Sequence, residues 1–170
     1  MAILILSGPV GAGKTTVGRA LLSSSPDGTA YIEGDVYWQF LAKPLSMQQP
    51  FARFTMTMRA ILASAWHYHR DGYLVIVDFS VPPAYLDGAK KLFRGEPFHF
   101  VVLRPSRAIC AARAGDRREG AIRDYARFDE FYRDFDTEER FVISDGESTP
   151  ATIAERIRTG MLKGEFLVNA

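Results

Sequence analysis

Gly8, Gly13, Lys14 and Thr15 stand in the spacing G-x-x-x-x-G-K-[ST], inside "LSGPVGAGKTTVGRALL", residues 6–22. Glycines let backbone N–H groups curl around phosphate oxygens. A helix starting just behind them adds partial positive charge. Gly11 and Ala12 keep the crown of the loop small, and residues 8–16, Thr16 included, form the cradle. Lys14 is placed to reach the β- and γ-phosphates of a nucleotide, and the Thr15 hydroxyl to ligate Mg²⁺. A glycine turn can carry a lysine for no reason of chemistry. Here the motif lies between a buried apolar run, "AILIL", and a helix, the context that confirms it.

Acids surround this loop in the sequence. Glu33 and Asp35 end the second expected strand, in "YIEGD". Ligands of open parallel sheets sit beyond the strand C-termini, and strand alternation points both acids to one side. A carboxylate there either binds Mg²⁺ through water or takes the proton of an acceptor hydroxyl. Asp35 is the catalytic candidate; Glu33 reads equally as a solvated strand end. Asp78 closes "YLVIVD", the form of a second acid that organises Mg²⁺. A buried strand rarely ends in an unpaired carboxylate.

Between Arg104 and Arg140 stand nine arginines, no lysine and nine acids. The balance suits a solvated helix with i,i+4 ion pairs such as Glu119–Arg123. Within it, "RAGDRREG" sets Arg113 and Arg117 one turn apart, with Arg118 beside them. Guanidinium groups grip phosphate bidentately. An arginine on the transferring group is worth about 10³–10⁵ in rate. Two or three of Arg113, Arg117, Arg118 and Arg123 are expected at the nucleotide or its phosphates. Arg127 and Arg133 read as surface residues.

The acceptor side is expected between the irregular segment 36–50, the helix 51–70 and the "FSVPP" turn. Tyr37, Trp38, Phe40, Phe51 and Phe79 offer apolar surface there, and any one of them can instead pack the core. Arg59 stands off the Phe54–Met58 stripe and is the expected acceptor-side arginine. His67 and His69 point to different helix faces, which argues against a metal site. Cys110, among alanines, reads as core.

The elements that position these residues follow from periodicity. "AILILSG", "AYIEGD", "GYLVIVDFS", "FHFVVLRPS" and "RFVISDGESTP" read as five strands. "TTVGRALLSSS", residues 51–70 and "TPATIAERIRTGMLK" read as helices, the last with Thr149 as N-cap and Pro150 at its first position. The arginine stretch from Arg107 to Phe135 reads as long and mostly helical. Buried strands alternating with helices mean a parallel sheet covered on both faces. The α/β chain of 170 residues is expected to form one domain, residues 1–170.

Composition is that of a globular protein, 47% hydrophobic and 24% charged, with a net charge of +1. Nothing global calls for nucleic acid or an anionic membrane. The opening apolar run is too short for a signal peptide or membrane span. With one cysteine, a cytoplasmic setting is expected.

"GPVGAGKTT", "YIEGD", "YLVIVDFS", the arginine stretch and the "ISDGES" turn, in this order, resemble small P-loop kinases of the nucleoside-monophosphate-kinase-like group. The look is that of chloramphenicol-phosphotransferase-like and gluconate-kinase-like proteins. The resemblance implies a sheet in the order 2-3-1-4-5 and a lid around residues 113–127. It implies that Arg113 and Arg117 serve the nucleotide, that the Asp145–Gly146 turn lies against adenine, and that Asp35 is base or Mg²⁺ organiser. ATP and Mg²⁺ are the implied cofactors. "VYWQF", after Asp35, departs from any pattern that would name one acceptor. The paired arginines that clamp an acceptor anion in several relatives are absent from the sequence.

Three functions stay open: a kinase acting on a small-molecule hydroxyl, a nucleoside monophosphate kinase, and an ATP-binding regulatory module. The expected partners are a nucleotide and a small-molecule acceptor, with the chain a monomer or homodimer. Asp35 and the many aromatics favour the first.

Overall fold

The computed structural model describes residues 2–43, 49–116 and 120–169. Its centre is strand β1 (Ile3–Ser7), all five residues of which are buried. A strand apolar on both faces needs a layer on each side. Parallel neighbours flank it: β3 (Leu74–Asp78) on one edge and β4 (Phe98–Leu103) on the other. β2 (Thr29–Glu33) pairs with β3, and the short β5 (Val142–Ile143) with β4. The order is 2-3-1-4-5, as the resemblance implied.

Alternation sorts the side chains into two cores. Ile3, Ile5, Val75, Val77, Phe98, Phe100 and Val102 face α2 (Pro50–Arg70) and α3 (Leu86–Leu92). Leu4, Leu6, Ile76, Val101 and Leu103 face α1 (Lys14–Ser23), α4 (Arg107–Gly115) and α6 (Pro150–Lys163). The expected cap of α6 is present: the Thr149 hydroxyl accepts from Thr152 N at 3.2 Å, and Pro150 is in the first turn. No described helix is long and apolar enough to cross a membrane.

Four features differ from the sequence expectations. The expected second strand stops at Glu33, and a 3₁₀ helix, Gly34–Phe40, takes up its last two residues and the first five of the segment 36–50 expected to be irregular. Helix α3, seven residues with Gly88 at the third position, has too little apolar periodicity to stand out. A sixth strand, β6 (Leu167–Val168), pairs antiparallel with the lower part of β4. The arginine stretch is not one long helix. α4 stops at Gly115, Gly120 takes a φ of 66°, and among the described residues up to Phe135 a 3₁₀ turn (Tyr125–Phe128) and the five-residue α5 (Asp129–Arg133) follow. Its aromatics serve both cores: Tyr125 and Phe128 pack on the α1/α6 side, Phe131 and Phe135 on the α2 side. A straight helix cannot present one stripe to two layers.

His99, on β4, is 7% exposed. Burial alone holds its imidazole below the ordinary value of 6.5. The unfolded chain therefore takes up a proton there before the folded one does. Stability present above pH 6.5 should fall as the pH drops from there toward the lowered folded-state value. His99→Leu is expected to flatten that limb of the stability–pH curve, read by urea denaturation.

Candidate functional site

β1 ends at Ser7 and α1 begins at Lys14, so residues 8–13 form a loop at the C-terminal edge of the sheet. Gly8, Gly11 and Gly13 take φ values of 141°, 79° and 95°. This winding turns successive amides inward, as an anion-binding nest requires. The crown is seated on α4, and the Tyr125 hydroxyl donates to the Val10 carbonyl at 2.7 Å. Lys14 Nζ lies over the loop, donating to the carbonyls of Gly8 at 3.0 Å and Pro9 at 3.1 Å.

A cavity of about 630 Å³ opens here, lined by residues 11–17, Asp35, Arg113, Ser148, Pro150 and Ile153. The structure thus brings Gly11, Ala12, Gly13, Lys14, Thr15, Thr16, Asp35 and Arg113 to one place. Arg113 donates to the Gly146 carbonyl at 2.6 Å and to the Ala12 carbonyl at 3.4 Å, tying the loop to the 145–148 turn. In that turn Asp145 Oδ1 accepts from the backbone of Glu147 and Ser148, both at 2.9 Å. Its hydrogen bonds to Ser148, and then to Glu147, hold the carboxyl at about 2.

Asp78 is 4% exposed at the end of β3. Burial raises its pKa. A hydrogen bond from Thr15, the Lys14 charge and a hydrogen bond from Tyr31 oppose the rise, and the Asp35 charge adds to it. One hydroxyl and one carboxylate, both hard oxygens, suit Mg²⁺, which keeps water and phosphate as its other ligands. Among the described residues no three of His, Cys, Asp or Glu gather as an all-protein metal site.

The two acids of "YIEGD" part company, contrary to the alternation argument. β2 stops at Glu33, which pairs with Arg19 at 3.1 Å. Asp35 belongs to the 3₁₀ helix and turns to the phosphate cavity. Gly34 between them is buried, and a Cβ there would stand 2.6 Å from the Phe79 ring. That close approach sets the 3₁₀ helix against the sheet and fixes where Asp35 emerges.

Of the acceptor-side candidates, Phe79 is 3% exposed and stacks on Phe54 at 5.6 Å. Trp38 packs half-buried against both rings, and Tyr37 meets Phe40 edge-on at 5.2 Å. Arg59 is exposed, away from the buried face of α2, and Arg123 is exposed beyond α4. Arg117 and Arg118, expected on one face with Arg113, lie outside the described residues.

Sequence reasoning passed over three features. Arg53 is one turn before buried Thr57 on α2, and its Nε is buried without a hydrogen-bond partner among the described residues. Its i,i+4 relation to Thr57 was the available signal. In an aromatic cavity of about 700 Å³ that opens where α2 begins, Phe51 was an expected wall, but Tyr85 and Phe131, which face it, were not. Tyr31 contacts Asp78, 47 residues away, with nothing local to announce it.

A family profile for an AAA domain, AAA_33, matches residues 3–137. No curated protein sequence matches the chain. Solved structures share its fold. A sugar kinase from Janibacter sp. HTCC2649 superposes with a TM-score of 0.72 at 16% identity, over 95% of this chain and 94% of that one. The tunicamycin resistance protein of Deinococcus radiodurans has a TM-score of 0.72 at 21% identity, over 99% of both chains. A gluconokinase from Sinorhizobium meliloti 1021 has a TM-score of 0.66 at 21% identity, over 95% and 92%.

Proposed function

The chain belongs to the AAA_33 family of AAA domains, and on that premise we propose that it is an ATP-dependent phosphotransferase acting on a hydroxyl of a small molecule. The kinases among its structural neighbours support the class. The observation that carries the reading is the shared cavity: a phosphate loop and an acid from a different element, Asp35 of the 3₁₀ helix after β2, line one space.

In this reading the amides of residues 8–16 hold the β- and γ-phosphates, and Lys14 swings from its loop carbonyls to the bridging oxygens. Arg113, which lines the cavity, neutralises phosphate charge, a task the resemblance also gives to Arg117. Thr15 and Asp78 would hold Mg²⁺, which when bound spreads the charge of the phosphates. Asp35 orients the acceptor hydroxyl and accepts its proton as the γ-phosphoryl moves. The 145–148 turn and the start of α6 receive the base. Trp38 and the aromatic cavity beside α2 suit an acceptor with an apolar or ring-shaped body. An acceptor that is already a phosphate needs positive charge more than a base. Arg59, the residue expected to supply it, faces outward, which leaves Arg53, with its buried Nε, as the α2 arginine that an anionic acceptor would need.

Asp35→Asn is the test. With a panel of sugars, sugar acids and alcohols, acceptor-dependent ADP release should fall about 10²–10⁴-fold. ATP affinity should stay within about twofold, because Asp35 makes no loop contact in this reading. Undiminished turnover in Asp35→Asn, or turnover with nucleoside monophosphates alone, contradicts the proposal.

A further inference from the structure

The phosphate loop, Asp35 and Asp78 account for the machinery proposed above and leave one polar contact unused. Tyr31 lies on β2, the edge strand, and its register partner on β3 is Ile76, two residues before Asp78. Its ring leans toward α1 and covers Gly18, where an added Cβ would stand 3.0 Å from the ring edge. From there the phenol donates to Asp78 Oδ2 at 2.9 Å. Thr15 hydrogen-bonds the same carboxylate. An acid 4% exposed is thus held by a hydroxyl of the nucleotide loop and by a phenol from the neighbouring strand.

We propose that Tyr31 is a positioning residue for the divalent ion: it fixes the Asp78 carboxyl in one rotamer, with its remaining lone pairs turned to the metal. The inference rests on the reading of Asp78 as the Mg²⁺-organising acid.

The chemistry supports a role for the oxygen rather than the ring. A buried carboxylate without donors either protonates or swings toward water. A phenol hydroxyl set 2.9 Å from a carboxylate oxygen is the donor of that contact. A phenylalanine would cover Gly18 equally well; what it lacks is the contact to Oδ2. Partners that orient a metal-binding group are typically worth about 10–100-fold in metal affinity.

The experiment uses Mn²⁺ as the probe and ADP as the nucleotide, so no acceptor is needed. ADP affinity is measured by calorimetry in EDTA, and Mn²⁺ affinity for the protein–ADP complex by electron paramagnetic resonance. Tyr31→Phe should weaken Mn²⁺ binding about tenfold or more and leave metal-free ADP affinity unchanged. In the Asp78→Asn background the same substitution should have no further effect on Mn²⁺, which shows that it acts through Asp78. Wild-type Mn²⁺ affinity in Tyr31→Phe overturns the inference. So does an equal loss of metal-free ADP binding, which would mark a packing role. If Asp78→Asn alone leaves Mn²⁺ affinity intact, the reading of Asp78 falls and takes the inference with it. That failure is told apart from the others because it is seen without touching Tyr31.

Discussion

Lys14→Ala is expected to lower phosphoryl transfer by about 10²–10³-fold or more, the largest effect of any side-chain truncation in the loop. The Lys14 ammonium lies 3.0 Å and 3.1 Å from the Gly8 and Pro9 carbonyls, at the mouth of the cavity. It needs only a rotation of its stem to reach phosphate. Among the described residues no other lysine lines the cavity, and Arg113 is engaged with Gly146 and Ala12. Charge developing on the β–γ bridge would therefore lose its nearest point donor. Lys14→Arg should not restore the rate, because a planar guanidinium does not replace a compact ammonium over the same carbonyls. The checks are single-turnover rate and ATP affinity; the rate should fall by more than the affinity.

Gly11→Ala is expected to be the most damaging change of a single methyl group. Gly11 has a φ of 79°, and its added Cβ would stand 2.1 Å from the Cys110 carbonyl oxygen and 2.9 Å from the carbonyl carbon. Both are backbone atoms of α4, so no side chain can move aside. The loop crown must lift off the helix, or α4 must shift. A loss of roughly 2–4 kcal/mol is expected from strain and overlap together. Gly28→Ala is the internal control, since Gly28 has a φ of 80° with nothing within 4 Å of the added methyl group. It should show the conformational strain alone, about 1 kcal/mol. Urea denaturation of both variants separates the two contributions. Nucleotide binding should suffer only in Gly11→Ala.

What could be read from the chain depended on range. The phosphate loop is a local pattern, and its strand–loop–helix context was visible in neighbouring residues. So was the start of α6, where Thr149 and Pro150 carry their own capping chemistry. The sheet order came with the resemblance, and the unbroken burial of β1 and β4 explains why those strands were plain. Apolar spacing misled between Arg107 and Phe135. Tyr125, Phe128, Phe131 and Phe135 recur at helical intervals, yet the chain crosses from one core to the other there. The outward orientation of Arg59 and the inward Nε of Arg53 depend on which flank of α2 meets the sheet, a tertiary fact. Asp35 was found for a partly mistaken reason. Strand alternation does not reach it; the close packing of Gly34 on Phe79 does the positioning.

The central claim is that one cavity carries both a phosphate loop and the acid that serves an acceptor. ADP release followed with Mg·ATP, with and without the panel of hydroxyl compounds, tests it most directly. The account predicts slow release into water alone, and a rise of at least about tenfold with one class of acceptor, accompanied by a phosphorylated product. Release at one rate whatever is added, with only inorganic phosphate formed, would contradict it.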